Sequence, residues 1–256
     1  MSEPLKIFIT GASSGIGRAL AAEYARRGAV LGLVARRAGA LAEFRQSHSD
    51  RSIAIYPADV RDADALAHAA RQFVDEYGLP DIVIANAGVS RGVLTGEGDL
   101  DAFRDVMDTN YFGMVATFEP FANAMRAACR GTLVGIASVA GVRGLPGSGA
   151  YSASKAAALS YLESLRVEMR PAGVRVVTIA PGYIRTPMTD HNPYSMPFLM
   201  DAERFAAKSA DAIAGGRAFA VFPWQMRVAA ALLRMLPRWL YDRLFQNAPR
   251  KPRAAR

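Results

Sequence analysis

A tyrosine and a lysine four residues apart, Tyr151 and Lys155, stand at the start of an alanine-, serine- and leucine-rich stretch that predicts a helix. Side chains at i and i+4 lie on one helix face, so the phenol and the ammonium can approach each other. A nearby cation favours tyrosinate and lowers the phenol pKa from its usual value of about 10. The alternative is a surface tyrosine beside a lysine whose stem packs along the helix.

A serine, Ser138, ends the apolar run 132–138, thirteen residues before Tyr151. At the carboxyl edge of a sheet, its hydroxyl can bind a substrate oxygen and stabilise charge that develops there. Tyr151 can exchange a proton with the same oxygen of a carbonyl or an alcohol. Each residue alone is commonplace, but the three together predict acid–base chemistry at an oxygen atom.

A glycine-rich turn, ITGASSGIG (9–17), follows the first apolar run and opens the first helix. Gly11, Gly15 and Gly17 permit a tight turn, close approach of a pyrophosphate, and free N–H groups at a helix N-terminus. The spacing G-x-x-x-G-x-G differs from the longer dinucleotide fingerprint, and it would also suit a plain strand-to-helix turn. The strand before it and the helix after it favour a nucleotide-binding turn.

The second apolar run ends at Ala35, where folds that prefer NAD carry an acidic residue for the ribose 2′-hydroxyl. Arg36 and Arg37 follow it. A guanidinium can bind a 2′-phosphate through two hydrogen bonds, so we expect NADP(H) rather than NAD(H), with Arg36 as the main contact and Arg37 as a helper. The alternative is that both arginines are solvated in a loop.

Short apolar runs alternate with helical patterns along the chain, which predicts a parallel sheet covered by helices on both faces. Right-handed crossovers then give an α/β, doubly wound sheet of about seven strands, with ligands at the carboxyl ends of the strands. The runs are 5–10, 30–35, 52–57, 81–88, 132–138, 174–181 and 218–222. Helices are expected from Gly15 to Gly28, from Asp62 to Gly78, and around 100–107, 111–128 and 152–170.

Taken together, the motifs resemble the compact, single-domain branch of the short-chain dehydrogenase/reductase family, in its order and spacing across residues 5–190. The resemblance implies a Rossmann-type fold and an NAD(P)-dependent oxidoreductase that reduces a carbonyl or oxidises the corresponding secondary alcohol. The matching motifs are TGASSGIG (10–17), DV (59–60), NAG (86–88), Asn110 in DTNYFG, Ser138, YSASK (151–155) and PGYIRT (181–186).

The resemblance implies four catalytic roles. Tyr151 would be the general acid/base, and Lys155 would lower its pKa and bind the nicotinamide ribose. Ser138 would position the substrate oxygen, and Asn110 would support a water that completes a proton relay to Lys155. No metal ligands are expected.

The same resemblance assigns residues to the cofactor. Asp59 and Val60 would contact the adenine, Asn86 the adenosine ribose region, and the 181–186 motif the nicotinamide. Some NADP-preferring members carry a basic residue where this chain has Ser14, so the NADP prediction depends on Arg36. Alternatives stay open: residues 86–88 could be structural and Asp59 a helix-capping residue. The expected set is Gly11, Ser13, Ser14, Gly15, Ile16, Gly17, Arg36, Arg37, Asp59, Val60, Asn86, Ala87, Gly88, Tyr151, Lys155, Pro181, Gly182, Ile184 and Thr186.

We expect one dinucleotide-binding and catalytic domain over residues 1–223, with a substrate lid at about 187–210 and further walls at 89–98 and 142–149. The lid is rich in methionine, which favours a lipophilic substrate, although ordinary core packing would explain the composition equally well. Its large apolar residues are Met188, Met196, Phe198, Leu199 and Met200.

The C-terminal segment is apolar and basic. Residues 201–256 hold eleven of the 31 Lys and Arg but only four of the 23 Asp and Glu, a net charge of +7 out of +8 for the chain. The stretch 224–246 predicts a helix broken at Pro237, which either packs on the domain or a second subunit, or lies on an anionic membrane. The low-complexity tail, 247–256, is expected to be disordered.

Composition bounds the remaining possibilities. The single cysteine, Cys129, and the lack of a signal-peptide pattern or an apolar run of spanning length favour the cytoplasm, with contact to the inner face of a membrane left open.

By the family resemblance, we expect a homodimer or homotetramer through helices 111–128 and 152–170. The alternative function is a non-catalytic NADP-sensing regulator on the same fold. Nucleic-acid binding is disfavoured, because the basic tail lacks an aromatic platform or a recognition helix.

Overall fold

The computed structural model describes residues 3–190, 192 and 194–253. Within them, seven parallel strands form one sheet in the order β3-β2-β1-β4-β5-β6-β9. The strands of this sheet are β1 (Lys6–Thr10), β2 (Val30–Ala35), β3 (Ile53–Pro57), β4 (Ile82–Ala85), β5 (Thr132–Ile136), β6 (Arg175–Pro181) and β9 (Phe219–Phe222). A short pair, β7 (Ile184–Arg185) and β8 (Met200–Asp201), lies apart from it.

Helices cover both faces of the sheet. One core joins the sheet to α1, α2 and α7, and the other joins it to α3, α5 and α6. The helices are α1 (Gly15–Arg26), α2 (Ala38–Ser47), α3 (Ala63–Tyr77), α4 (Leu100–Met107), α5 (Gly113–Ala127), α6 (Gly149–Met169), α7 (Ala202–Ala214), α8 (Trp224–Met235) and α9 (Arg238–Phe245). The predicted doubly wound, Rossmann-type sheet with helices on both faces and a C-terminal helical extension is confirmed.

The strand order reverses between β1 and β4, because the chain runs outward from β1 to β3 and then returns to the other side of β1. At such a reversal the loops after the two strands diverge and leave a crevice at their carboxyl ends. The glycine-rich turn follows β1 and the 86–88 motif follows β4. The topology therefore brings these two motifs to the same crevice.

Local signals set the element ends. The Asp62 side chain accepts a 2.9 Å hydrogen bond from the Ala65 amide and caps α3. Gly78 ends the same helix with φ of +83°, a conformation that glycine adopts without a steric penalty. These are the residues at which the sequence predicted the helix to begin and end.

The predicted lid is too long. The segment after Thr186 ends at Met200, and residues 202–214 form α7, which packs on α1. Phe205 and Ala206 of α7 are fully buried in the core of that face, because the helix presents an apolar stripe to the sheet. Met200 is itself buried and belongs to this core rather than to a lid. Residues 191 and 193 of the predicted lid lie outside the described residues.

The predicted break at Pro237 is confirmed, and the inner faces of α8 and α9 pack on the domain. Arg143, in the segment after β5, donates to the carbonyls of Leu233 and Leu236 at 2.6 and 2.7 Å. Its guanidinium also lies 4.1 Å from the ring centroid of Tyr241 in α9. One arginine thus fixes both helices to the same loop.

The prediction of a disordered tail is wrong for residues 247–253, which we call the C-terminal strap. Arg253 donates two 2.9 Å hydrogen bonds to the Asp99 carboxylate and contacts Glu97 at 3.2 Å. Arg253 also forms a β-bridge with Gly92, which lies directly under the backbone of the strap. Polar composition predicted disorder, but two acidic groups and one glycine on the 92–99 loop provide a docking place. Residues 254–256 lie outside the described residues.

Candidate active site

The glycine-rich turn passes directly over the end of β4. Gly11 and Gly15 have φ of +72° and +54°, and a Cβ at Gly11 would lie 2.7 Å from the Cα of Ala87. A Cβ at Gly17 would overlap the carbonyl oxygen of Gly11, so this glycine permits the helix to approach the turn. Ser14 is the N-cap of α1 and makes no side-chain capping bond there. The first N–H groups of α1 are therefore available to an anion.

Asn86 ties the ends of β1 and β4 together. Its amide nitrogen donates to the carbonyls of Thr10 and Gly11 at 3.0 and 3.2 Å, and its backbone N–H donates to the Thr10 hydroxyl. Asn86 thus holds the glycine-rich turn in place. It also lines the cavity described below, so a structural role and a ligand contact are compatible at this residue.

Basic residues gather at the end of β2. Arg37 donates to the Ser13 hydroxyl at 3.1 and 3.3 Å, which joins the β2 end to the glycine-rich turn. Arg36 is largely exposed and lies 3.8 Å from the Asp59 carboxylate. Asp59 is bound more closely by Arg61, at 2.6 Å, and this hydrogen bond is the main cause that lowers the pKa of the Asp59 carboxyl. Arg36 therefore keeps most of its hydrogen-bonding capacity for another anion.

At the opposite end of the same crevice, Lys155 is buried and donates a 2.8 Å hydrogen bond to the carbonyl oxygen of Ile136, the last residue of β5. Its ammonium lies 5.9 Å from the ring centroid of Tyr151. Burial lowers the pKa of Lys155 to about 8, because an ammonium loses hydration inside the protein. Lys155 is thus held by the end of the sheet, close to the phenol.

Burial raises the pKa of Tyr151, and a hydrogen bond with the Ser138 side chain opposes this in part. The sequence led us to expect that Lys155 would lower the pKa of this phenol. In the structure desolvation is the larger effect, and the phenol stays protonated at neutral pH. Ser138 caps the turn after β5 by accepting a 3.1 Å bond from the Ala140 amide, and this fixes its hydroxyl beside Tyr151.

Asn110 lies in a π-helical turn, Asp108–Phe112, that joins α4 to α5. Its fully buried amide accepts from the Val89 N–H at 2.7 Å and donates to the Val89 carbonyl and the Ser154 hydroxyl at 2.9 Å. The wide turn thus brings an amide to the loop after β4, a placement typical of π-turns at functional sites. A water-supporting role for Asn110 stays a prediction; its contacts bind the loop beside Gly88.

These groups line one cavity of about 350 Å³ at the carboxyl edge of the sheet. It joins the glycine-rich turn, the β2 end, and the Tyr151–Lys155 pair. The predicted residues on its wall are Gly11, Ser13, Ser14, Gly15, Ile16, Arg36, Arg37, Asp59, Val60, Asn86, Ala87, Gly88, Tyr151, Lys155, Pro181 and Thr186.

Five predicted site residues are not on this wall. Gly17 lies behind Gly11, and Gly182 packs under the Met226 side chain. Ile184 is buried in the core beside α7. Ser138 lies next to Tyr151, and Asn110 lies next to Gly88.

Several cavity residues did not belong to the predicted cofactor set. Four of the eight lie at or just beyond strand ends, among them Ala35, Ala58 and Ala137, so the carboxyl-edge rule could have found these four without any motif. Met188 was expected in the substrate lid. The wall residues outside the predicted set are Ala35, Ala58, Val89, Thr109, Ile136, Ala137, Pro187 and Met188.

Comparison with known proteins agrees with this arrangement. The family model described as "short chain dehydrogenase" matches residues 6–195. An uncharacterized oxidoreductase of Myxococcus xanthus is 39% identical over 236 residues, which cover 91% of this chain and 93% of that protein.

Two solved structures of short-chain dehydrogenases share the fold. One, from Burkholderia cenocepacia in complex with NADP, is 27% identical with a TM-score of 0.82, covering 96% of this chain and 99% of that one. Another, from Burkholderia phymatum in complex with NAD, is 24% identical with a TM-score of 0.84 and covers 99% of both chains.

Proposed function

The chain belongs to the short-chain dehydrogenase/reductase family of nicotinamide-dependent oxidoreductases, and from this premise we propose that it reduces a carbonyl group, or oxidises the corresponding secondary alcohol, with NADP(H) as its cofactor and Tyr151 as its general acid/base. One observation carries the proposal. The cavity that holds the Tyr151–Lys155 pair at one end holds the glycine-rich turn and two arginines at the other. This matches a dinucleotide that extends from its phosphates to its reactive ring.

The proton is held on Tyr151. Burial raises its pKa, so the phenol is protonated at neutral pH and can donate to a carbonyl oxygen as negative charge develops there. The Ser138 hydroxyl beside it can donate a second hydrogen bond to that oxygen. A nicotinamide bound near Pro181 and Thr186 would supply or accept the hydride.

Lys155 supports this donor electrostatically. With a pKa of about 8, it is mostly protonated at pH 7, and its positive charge stabilises the tyrosinate that forms when the proton leaves. Its bond to Ile136 uses one of three N–H donors. The other donors are available to a ribose hydroxyl and to a water in a relay, and the Asn110 amide lies beside the same residue, Gly88, as the Lys155 ammonium.

The basic end of the cavity supports a preference for NADP(H). Ala35 offers no carboxylate to repel a 2′-phosphate, and Arg36 is exposed and only distantly paired with Asp59. Arg37 is bound to Ser13 and can complete the phosphate contact from the turn side. A phosphate would compete with Asp59 for Arg36, but the carboxylate retains Arg61 as its main partner.

A lipophilic substrate fits the other end. Met188, Pro187 and Val89 lie on the wall of the cavity that also holds Tyr151, and outside this wall Tyr183 and Tyr194 contact each other with ring centroids 6.5 Å apart. A methionine on a partly exposed segment can adapt to ligands of different shape. Met188, Pro187 and Val89 offer little side-chain hydrogen bonding to a polar substrate, which favours an apolar carbonyl compound or alcohol.

The proposal is tested by a screen of NADPH oxidation across carbonyl classes, repeated with NADH. With an accepted substrate, Tyr151→Phe should reduce kcat at least about a hundredfold and leave the Kd for NADPH nearly unchanged. Tyr161→Phe, on the same helix but packed against α5, is the matched control and should keep its activity. Retained turnover in Tyr151→Phe would refute the role of this phenol.

We also infer a homodimer or homotetramer through the π-turn, α5 and α6. Phe112 and Val167 on these elements are both more than half exposed, and a groove of about 400 Å³ runs along α5 beside Phe112. Light scattering after size exclusion should give a multiple of 27.5 kDa. Phe112→Glu should shift that mass toward the monomer, and an unchanged mass would exclude this interface.

A further inference from the structure

Both tryptophans of the chain lie exposed on the outward faces of the two C-terminal helices. Trp224 begins α8 with 68% of its surface exposed, and Trp239 lies in α9 with 67% exposed. Trp is ordinarily well buried in a folded domain, so exposing both is informative. Six of the thirteen exposed large apolar residues among the described residues lie here, namely Trp224, Val228, Leu232, Met235, Trp239 and Leu244.

Four of these residues form one stripe along α8. Trp224, Val228, Leu232 and Met235 follow one another at intervals of four, four and three residues, so they lie on the same side of the helix. The opposite side is buried through Met226 and Ala230. The stripe is therefore not the core-facing side of α8 but a second apolar face that looks outward.

Arginines lie among the apolar side chains. Arg227, Arg234, Arg238 and Arg243 are exposed, and within residues 3–190, 192 and 194–253 none of them pairs with a carboxylate. Asp242 is the single acidic residue of the segment 224–246. An arginine can keep its charged head in a polar layer while its stem packs on apolar groups. This combination of exposed Trp, aliphatic stripe and unpaired arginine is typical of helices that lie in a membrane interface.

The two helices present their outward faces as one fixed surface. Arg143 binds the carbonyls of Leu233 and Leu236 at the end of α8 and stacks on Tyr241 of α9, so both helices share one anchor. No helix in the described parts of the chain is long and apolar enough to cross a bilayer. The surface can therefore lie on a membrane. The described residues provide no helix that would also span it.

We propose that the outward faces of α8 and α9 form a docking surface for an anionic lipid bilayer. Charge decides between a bilayer and a second copy of this chain. A symmetric contact between two copies would bring the same patch together with itself and oppose unpaired arginines to arginines. Arg227 and Arg234 lie along one edge of the apolar stripe, where an interfacial helix holds its cations at the level of the lipid headgroups. An anionic lipid surface instead provides a partner for each arginine.

The two tryptophans make the test direct, because every tryptophan in the protein reports this surface. The full chain is titrated with phosphatidylcholine vesicles that contain about a third phosphatidylglycerol, and separately with pure phosphatidylcholine vesicles. We expect a blue shift of the emission and co-sedimentation with the anionic vesicles. With the neutral vesicles, binding should be at least about tenfold weaker.

Two pairs of variants distinguish binding through this surface from effects of the net charge or the total exposed apolar area of the protein. Arg227→Glu/Arg234→Glu should weaken vesicle binding at least about tenfold. The control, Arg45→Glu/Arg71→Glu on α2 and α3, makes the same change in net charge and should bind vesicles as the wild type does. Val228→Ser/Leu232→Ser should also weaken binding. Its control, Leu5→Ser/Leu100→Ser, removes apolar side chains with the same exposed fractions, 49% and 60%.

Three results would overturn the proposal. The first is the absence of any emission shift or co-sedimentation with anionic vesicles. The second is an equal loss of binding in the test and control pairs, which would reflect net charge alone. The third is an emission shift that depends on protein concentration without lipid, which would identify a second copy as the occupant. None of these readouts depends on enzymatic turnover, so the docking surface and the proposed reaction can fail independently.

Discussion

The Lys155 ammonium donates a 2.8 Å hydrogen bond to the carbonyl oxygen of Ile136, and both residues are buried at the carboxyl edge of the sheet. The strand end therefore holds the lysine in place and desolvates it, and its neighbour Tyr151 lies on the preceding turn of the same helix. A cation at this position costs stability, and the same burial strengthens its effect on the phenol.

Replacement of this lysine should change how the stability of the protein depends on pH. Burial depresses the pKa of Lys155 from 10.5 to about 8, so the unfolded chain binds the proton more tightly than the folded one. The cost is full below pH 8 and is relieved as pH rises from 8 to 10.5. Relative to Lys155→Met, the wild type should therefore gain about 2 kcal/mol in free energy of unfolding between pH 7 and pH 9.5.

Urea denaturation of both proteins at the two pH values measures this difference. Taking the difference between wild type and variant removes the titration of the other groups. Lys208→Met removes an exposed lysine on α7 and is the control for the loss of one lysine. A difference for Lys155→Met that does not change with pH would mean that Lys155 is better solvated than its burial indicates.

Arg36→Ala should weaken NADPH binding far more than NADH binding. Loss of a charge-assisted contact to the 2′-phosphate should raise the Kd for NADPH about tenfold to a hundredfold, while the Kd for NADH should change less than about threefold. Fluorescence titration of the reduced cofactors measures both. Arg45→Ala, at the other end of α2, is the control. Equal losses for the two cofactors would remove the argument for a 2′-phosphate site.

Asn110→Ala should lower stability as well as activity. The substitution leaves the N–H and the carbonyl of Val89 without their partners in a partly buried place, which should cost about 2 kcal/mol in free energy of unfolding. Gln72→Ala, on the exposed side of α3, is the control. If thermal unfolding of Asn110→Ala matched the wild type while turnover was lost, Asn110 would act only in the proton relay and not in holding the loop.

Arg253→Ala should loosen the 92–99 loop without unfolding the domain. Arg253 holds the Asp99 carboxylate, which in turn accepts a 2.9 Å bond from the Leu94 amide. Hydrogen exchange in peptides that cover this loop should become faster, while the Tm stays nearly constant because the pair lies at the surface. Arg104→Ala removes another surface pair with Asp101 and should leave the loop unchanged. Unaltered exchange in Arg253→Ala would show that the Arg253 side chain does not restrain the loop.

Local sequence patterns were sufficient to predict the helices and strands and the kind of chemistry that their side chains could perform. The run 30–35 predicted β2 at its observed bounds, and Asp62 and Gly78 marked the ends of α3, because hydrophobic period, capping and glycine signals act within a few residues. The residue types at 138, 151 and 155 likewise indicated an acid–base site before any distance was known.

Tertiary structure alone decided how strongly these groups are buried and what they face. Desolvation, which reverses the expected direction of the Tyr151 shift, depends on the whole enclosure and has no local sequence signal. Gly182 and Ile184 turned out to pack away from the cavity, and residues 202–210 of the predicted lid belong to α7. The strap was ordered by a contact between Arg253 and Asp99, 154 residues apart, and such a pairing exists only once the chain has folded.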